Sequence, residues 1–149
     1  AARTDQRRQE MEVTNTLFII RGVSGSGKTT LAAALDGGWA VPTYHAEADQ
    51  FFMVDGEYRF DPTRLKQAHA DCLARADAAM MSGDYSRVIV SNTFTQVWEF
   101  QPYLDLARAR GWRVSVIHME TRHANTHGVP EEAVKRMLAR WEPFNPVNG

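Results

Sequence analysis

Residues Gly22-Val23-Ser24-Gly25-Ser26-Gly27-Lys28-Thr29 set three glycines, a lysine and a hydroxyl at fixed spacing. They satisfy G-x-x-x-x-G-K-[ST] at every fixed position. Glycines here let the backbone curl until its N–H groups converge on one centre, which suits an anion. A helix starting near Gly27 adds its positive end to that centre. Lys28 supplies a mobile charge for the outer phosphates of a nucleoside triphosphate, and the Thr29 hydroxyl can hold Mg²⁺. The phosphate-binding set is then Gly22, Ser24, Gly25, Ser26, Gly27, Lys28, Thr29 and Thr30. The bland alternative is a glycine-rich turn with a chance lysine. It does not explain the apolar run Leu17-Phe18-Ile19-Ile20 before the motif or the helix-forming Leu31-Ala32-Ala33-Ala34-Leu35 after it.

A triphosphate needs an acceptor, and an acceptor alcohol needs somewhere to leave its proton. Glu47-Ala48-Asp49-Gln50-Phe51-Phe52 offers two carboxylates after a short second strand. In an open parallel sheet, ligands gather at the carboxyl ends of strands. Asp49 is the expected general base and Glu47 the runner-up; a helix cap or surface turn is the plain alternative. Phe51 and Phe52 read as core. Tyr58 and Arg59 flank an Asp55-Gly56 turn and could touch the acceptor. Arg122, Arg136 and Arg140 are available to neutralise a transferring phosphate, which suits the planar guanidinium. Many phosphate-loop enzymes carry a carboxylate at the end of the third strand. This chain has Ser91 and Asn92, so direct metal binding there is not expected. His118, His123 and His127 lack a companion cysteine cluster, so they read as loop and lid residues rather than zinc ligands.

The elements that must position these groups are legible in outline. Strands are expected at residues 16–21, 43–46, 87–90 and 112–118. Helix 1 should follow the glycine motif and stop near Gly37-Gly38. A long helix should open with Asp61 as N-cap and Pro62 in its first turn, and end near Ser82-Gly83. Its apolar stripe is Leu65, Ala68, Cys72, Leu73, Ala76 and Met80, with His69 packing nearby. A third helix over 96–110 should bury Val97, Tyr103, Leu104 and Ala107, with Trp98 and Phe100 widening the surface. A last helix from Pro130 should pack Val134, Met137, Leu138 and Trp141 inward.

At 149 residues with 44% hydrophobic residues, the chain has the material for one domain. That domain is expected over 14–149, after a flexible arm over 1–13. A formal net charge of −1 gives no bulk attraction to nucleic acid or to an anionic membrane, although a local basic groove is compatible with it. Cys72 is the sole cysteine, so no intrachain disulfide can form, which suits a reducing compartment. No long apolar stretch suggests a membrane span, so a cytoplasmic location is expected. The opening Ala1-Ala2 reads as a processed or appended start.

Taken together, residues 22–30, Ala48-Asp49-Gln50-Phe51-Phe52, residues 56–62, Asn92-Thr93-Phe94-Thr95-Gln96, Asn125-Thr126-His127-Gly128-Val129-Pro130 and Arg140-Trp141-Glu142 resemble small P-loop kinases of the polynucleotide kinase group, of the AAA type. The group includes phage kinases that act on hydroxymethyl-pyrimidine DNA. The resemblance spans 17–142. It implies an α/β three-layer P-loop fold with a parallel sheet of four or five strands. It also implies transfer of the ATP γ-phosphate, with Mg²⁺, to a hydroxyl on nucleic acid, DNA before RNA. Asp49 would be the general base, Lys28, Arg122 and Arg140 would act on the phosphates, and Arg59 and Asn92 would meet the substrate. The acceptor could be a 5′-hydroxyl or a 5-hydroxymethyl-pyrimidine base such as 5-hydroxymethyluridine. A small-molecule kinase and a non-catalytic ATP-binding module are the competing readings.

Overall fold

The computed structural model describes residues 14–120 and 129–145. The arm expected over 1–13, and Arg122, His123 and His127, lie outside the described residues.

The first strand, β1 (Thr16–Arg21), leads through the glycine loop into α1 (Lys28–Leu35). Strand β2 (Thr43–Ala46) runs into a 3-10 turn at Ala48–Phe52. A small antiparallel hairpin follows, β3 (Met53–Val54) with β4 (Glu57–Tyr58). Then come α2 (Leu65–Ser82), β5 (Arg87–Asn92), α3 (Val97–Arg110), β6 (Arg113–His118) and α4 (Glu131–Ala139). The main sheet has four strands in the order β2-β5-β1-β6, all parallel.

Strand period fixes the layers. Leu17 and Ile19 on β1 and Val88 and Val90 on β5 are buried with Ala68, Cys72, Ala76 and Met80 of α2 and Phe100, Tyr103 and Ala107 of α3. Ile20 and Ile89 point the other way and pack with Ala32 of α1. Alternate residues therefore serve opposite faces, as pleating requires. A parallel strand covered on both sides must be apolar throughout, which is why β1 and β5 read as continuous runs. Each fully buried aliphatic side chain contributes about 1.5–3 kcal/mol of transfer free energy. In register, Arg21 at the end of β1 lies between Asn92 on β5 and His118 on β6. The carboxyl ends of three strands thus form one edge.

Several expectations are corrected. The third strand continues through Ser91 and Asn92 rather than stopping at Val90. Asp61 does cap, accepting from the Thr63 amide at 3.0 Å, but the first turn is a separate 3-10 segment, Pro62–Arg64. Leu65 is 40% exposed, and His69 is exposed rather than packed. Trp98 is 73% exposed and widens no core, whereas Phe100 is fully buried. Leu138 of α4 is also exposed, while Val134 is buried. Helix α1 does stop beside the two glycines, at Leu35 with Asp36 as its C-cap, as expected.

Candidate active site

The glycine loop bridges β1 and α1. Gly25 and Gly27 adopt positive φ, 81° and 92°, which side-chain-bearing residues rarely tolerate. Gly22 is needed for space instead. A Cβ there would lie 2.4 Å from the Ser26 Oγ and 3.0 Å from the Met119 carbonyl oxygen. Helix α1 has Gly27 at its N-cap, no side-chain cap and no acid in its first turn. Its first N–H groups and its positive end are therefore directed at the loop, which is the arrangement for an anion. The Lys28 ammonium donates to the carbonyls of Gly22 at 2.7 Å and Val23 at 3.1 Å, so it is folded back over the same loop. Burial lowers its pKa, partly offset by the carboxylates of Glu47 and Asp49. Those two acids therefore sit within electrostatic reach of the ammonium.

Glu47 leaves β2 beside the loop. Its Oε1 accepts from the Ser91 hydroxyl at 2.9 Å and lies 3.2 Å from the His45 Nε2. The Thr29 hydroxyl points to the same oxygen at 3.5 Å. Burial alone would raise the Glu47 pKa. Hydrogen bonds from His45 and Ser91, with the charges of His45 and Lys28, outweigh it and hold the carboxyl below its ordinary value. His45 Nε2 is also 2.7 Å from the Ser91 Oγ, so β2 and β5 are joined by polar groups at their carboxyl ends. The Thr29 hydroxyl and the Glu47 carboxylate are hard oxygen donors, which fit a cation such as Mg²⁺. Among the described residues, no cluster of three or more His, Cys, Asp or Glu side chains could hold a metal on its own.

Asp49 follows in the 3-10 turn. It is exposed and accepts from the Tyr58 hydroxyl at 3.3 Å, which ties the turn to the hairpin. Burial, with Asp49's charge and hydrogen bond, raises the Tyr58 pKa. The turn is fastened from behind by Arg75 of α2. Arg75 donates to the Glu47 carbonyl at 2.9 Å, pairs with Asp71 at 2.8 Å and also reaches the Gln50 side chain.

The remaining expected residues are placed as follows. Asn92 is 8% exposed. Its Oδ1 accepts from the Ala48 amide at 2.9 Å, and its Nδ2 points to the Cys72 Sγ at 3.7 Å. Its amide thus holds the Glu47–Asp49 turn from below rather than facing an open cleft. Arg59 pairs with Glu57 at 3.1 Å on the hairpin surface. Arg140 donates from Nε to the Thr95 Oγ1 at 3.2 Å. Arg136 is exposed on α4. His118 stacks on Trp141 with ring centroids 4.3 Å apart and lies 3.8 Å from Glu120.

Arg21 carries no functional signal in the sequence, where a basic residue at a strand end looks solvated. It is 1% exposed. It donates to the carbonyls of Phe94 at 3.0 Å, Thr95 at 3.1 Å and Glu142 at 2.7 Å. Its guanidinium sits over the rings of Phe100 and Trp141, 4.8 and 4.3 Å from their centroids. Burial lowers its pKa, countered by Glu142 and Glu99. Phe94, one of its acceptors, has φ 48°, a left-handed backbone unusual for a bulky residue. A cavity of about 290 Å³ opens beside these groups, lined by Val23, His118, Met119, Glu120, Leu138 and Trp141.

Residues 17–144 match an AAA domain family, AAA_33. The chain belongs to that family. Human NEDD4-binding protein 2 is 31% identical over 154 residues, covering 95% of this chain but 8% of its own length. The domain therefore spans a small part of that relative. The uncharacterized protein PM0531 of Pasteurella multocida (strain Pm70) is 30% identical over 132 residues, covering 82% of this chain and 74% of its own. Among solved structures, Chaetomium thermophilum Kti12 in complex with ADP-AlF3 superposes with TM-score 0.62 at 13% identity, over 88% of this chain and 82% of that one. The Pnkp1/Rnl/Hen1 RNA repair complex gives 0.55 at 20% identity, over 95% and 43%. A gluconokinase from Sinorhizobium meliloti 1021 gives 0.56 at 15% identity, over 89% and 78%. The likeness to these structures shows the α/β P-loop fold, with its parallel four-stranded sheet. No helix among the described residues is long and apolar enough to cross a membrane.

Proposed function

We propose that the domain is an ATP- and Mg²⁺-dependent kinase that phosphorylates a hydroxyl on nucleic acid. The observation that carries this reading is the apposition at the sheet edge: Lys28 and Thr29 of the phosphate loop face the carboxylate-bearing turn after β2, with Thr29 3.5 Å from Glu47. The loop amides and Lys28 hold the triphosphate. Thr29, with Glu47 close by, would hold Mg²⁺, which when bound offsets phosphate charge. Asp49 accepts the proton of the attacking alcohol. The alcohol oxygen bonds to the γ-phosphorus as the bond to the β,γ-bridging oxygen breaks, and ADP leaves with that electron pair. Arg122 and Arg140 stabilise charge on the transferring group, and Arg59 meets the acceptor. Asn92 supports the turn that carries Asp49. Catalysis rests on alignment and fixed charge.

The acceptor is assigned to nucleic acid on the motif resemblance and the likeness to the RNA repair complex; DNA is placed before RNA on the resemblance alone, which includes phage kinases of DNA. A 5′-hydroxyl is the first choice and a hydroxymethyl-pyrimidine base the second. The likeness to a gluconokinase keeps a small alcohol as the competing acceptor. Transfer from γ-labelled ATP to 5′-hydroxyl oligonucleotides, hydroxymethyl-pyrimidine DNA, free nucleosides and gluconate separates these. Label on oligonucleotides is expected; label on free small alcohols alone would overturn the assignment, and ATP binding with no transfer would leave a binding module.

A further inference from the structure

The hairpin beside Asp49 carries more exposed aromatic surface than its fold needs. Tyr58 and Phe60 are 54% and 52% exposed, with ring planes 16° apart and centroids separated by 6.4 Å. Both are propped from beneath by Phe52, which is buried and packs across them at 82° and 66°. The rings are therefore held in place while much of their surface faces water. Position links them to the chemistry, because the Tyr58 hydroxyl is itself bonded to Asp49. Charge narrows what could cover them. Residues 49–61 hold four carboxylates, Asp49, Asp55, Glu57 and Asp61, against one cation, Arg59, which Glu57 already pairs. The ring faces themselves are neutral and apolar, so what lies directly on them is a flat, neutral heterocycle rather than a phosphate.

We propose that Tyr58 and Phe60 form a stacking platform for a nucleobase of the acceptor strand, which sets that nucleotide's alcohol at Asp49. The inference rests on the kinase reading for its purpose, although not for its binding. Aromatic faces stack any base, so the platform selects for the presence of a base and not for its sequence. The two rings lie on an open surface rather than in an enclosed pocket, which suits a base carried by a strand over a free nucleoside.

The test is a binding measurement that needs no phosphate transfer. A short single-stranded DNA containing one 2-aminopurine is titrated with the domain, and quenching of the analogue reports stacking. Wild-type protein is expected to quench it. Tyr58→Leu with Phe60→Leu, which keeps apolar cover over Phe52, should weaken binding by about tenfold or more. Tyr58→Phe, which keeps the ring and loses the hydroxyl, should retain the quenching. An otherwise identical strand with an abasic site in place of the analogue should compete about tenfold less well. Equal competition by the abasic strand, or quenching untouched in the double variant, would overturn the platform. Free 2-aminopurine nucleoside binding as tightly as the strand would overturn the strand assignment. The kinase reading fails separately: quenching with no label transferred to any acceptor removes that reading and leaves the platform, whereas transfer to base-free alcohols without quenching does the reverse.

Discussion

At the scale of single residues, the carboxylates divide by surroundings. Glu47 is half-buried among donors and held ionised, while Asp49 is exposed beside a tyrosine hydroxyl. A group that must collect a proton from a transient acceptor belongs where the acceptor can reach it, which favours Asp49. Asn92 belongs to the turn's support. Asn92→Leu should leave the buried Ala48 amide unpaired and cost about 1–3 kcal/mol in urea unfolding. ATP affinity, read by titration, should hold; an unaltered unfolding midpoint would return Asn92 to the substrate side. His118 gives a pH prediction. Burial and Arg21, opposed by Glu120, lower its pKa from 6.5. A lowered folded-state value means the unfolded chain takes up the proton first, so stability is full above 6.5 and declines as pH falls through the folded value. His118→Phe keeps a ring on Trp141 and removes this titration. Its melting temperature should fall less than the wild type's from neutral pH to the mildly acidic range, and parallel curves would refute the linkage.

At the scale of elements, Arg21 joins three pieces distant in sequence: the end of β1, the loop from β5 to α3, and the segment after α4. The same junction is reinforced by the Glu142 amide donating to the Thr95 carbonyl at 2.7 Å and by the Val97 amide donating to the Glu142 carboxylate at 3.2 Å. Arg21→Met removes charge-assisted donors from three carbonyls. It should cost about 3 kcal/mol or more. Amide exchange should accelerate first at Val97 and Glu142, and uniform acceleration across the sheet would argue against a local latch. The loop itself makes a second prediction. Gly22→Ala must push against Ser26 and the Met119 backbone, so nucleotide affinity should drop while the sheet stays folded by circular dichroism.

At the scale of the molecule, the central strands β1 and β5 were readable because strands covered on both faces are apolar throughout, and the phosphate loop because its chemistry demands particular residues. The rest required tertiary context. A five-residue 3-10 turn is too short to carry a period, so Ala48–Phe52 left no helical signature. Trp98 looked like core by type, yet its place on α3 faces water. Arg21 looked like surface by type, yet three carbonyls from remote loops surround it. Asp49 was legible as an acid near a strand end, but its link to Tyr58 appears only when the hairpin folds over. The phosphate loop also sets a whole-molecule expectation. ATP at a hundred times its Kd should stabilise the domain by about 2.7 kcal/mol, and Lys28→Ala should remove much of that gain in thermal unfolding.

The central claim is that an alcohol bound beside the loop gives its proton to Asp49 as the γ-phosphate arrives. Its most direct test is single-turnover transfer from labelled ATP to a 5′-hydroxyl oligonucleotide by wild type and Asp49→Asn, with ATP affinity measured alongside. The account predicts a rate lowered by about a hundredfold to ten-thousandfold with ATP affinity nearly unchanged. An Asp49→Asn domain that transfers phosphate as fast as wild type would contradict it.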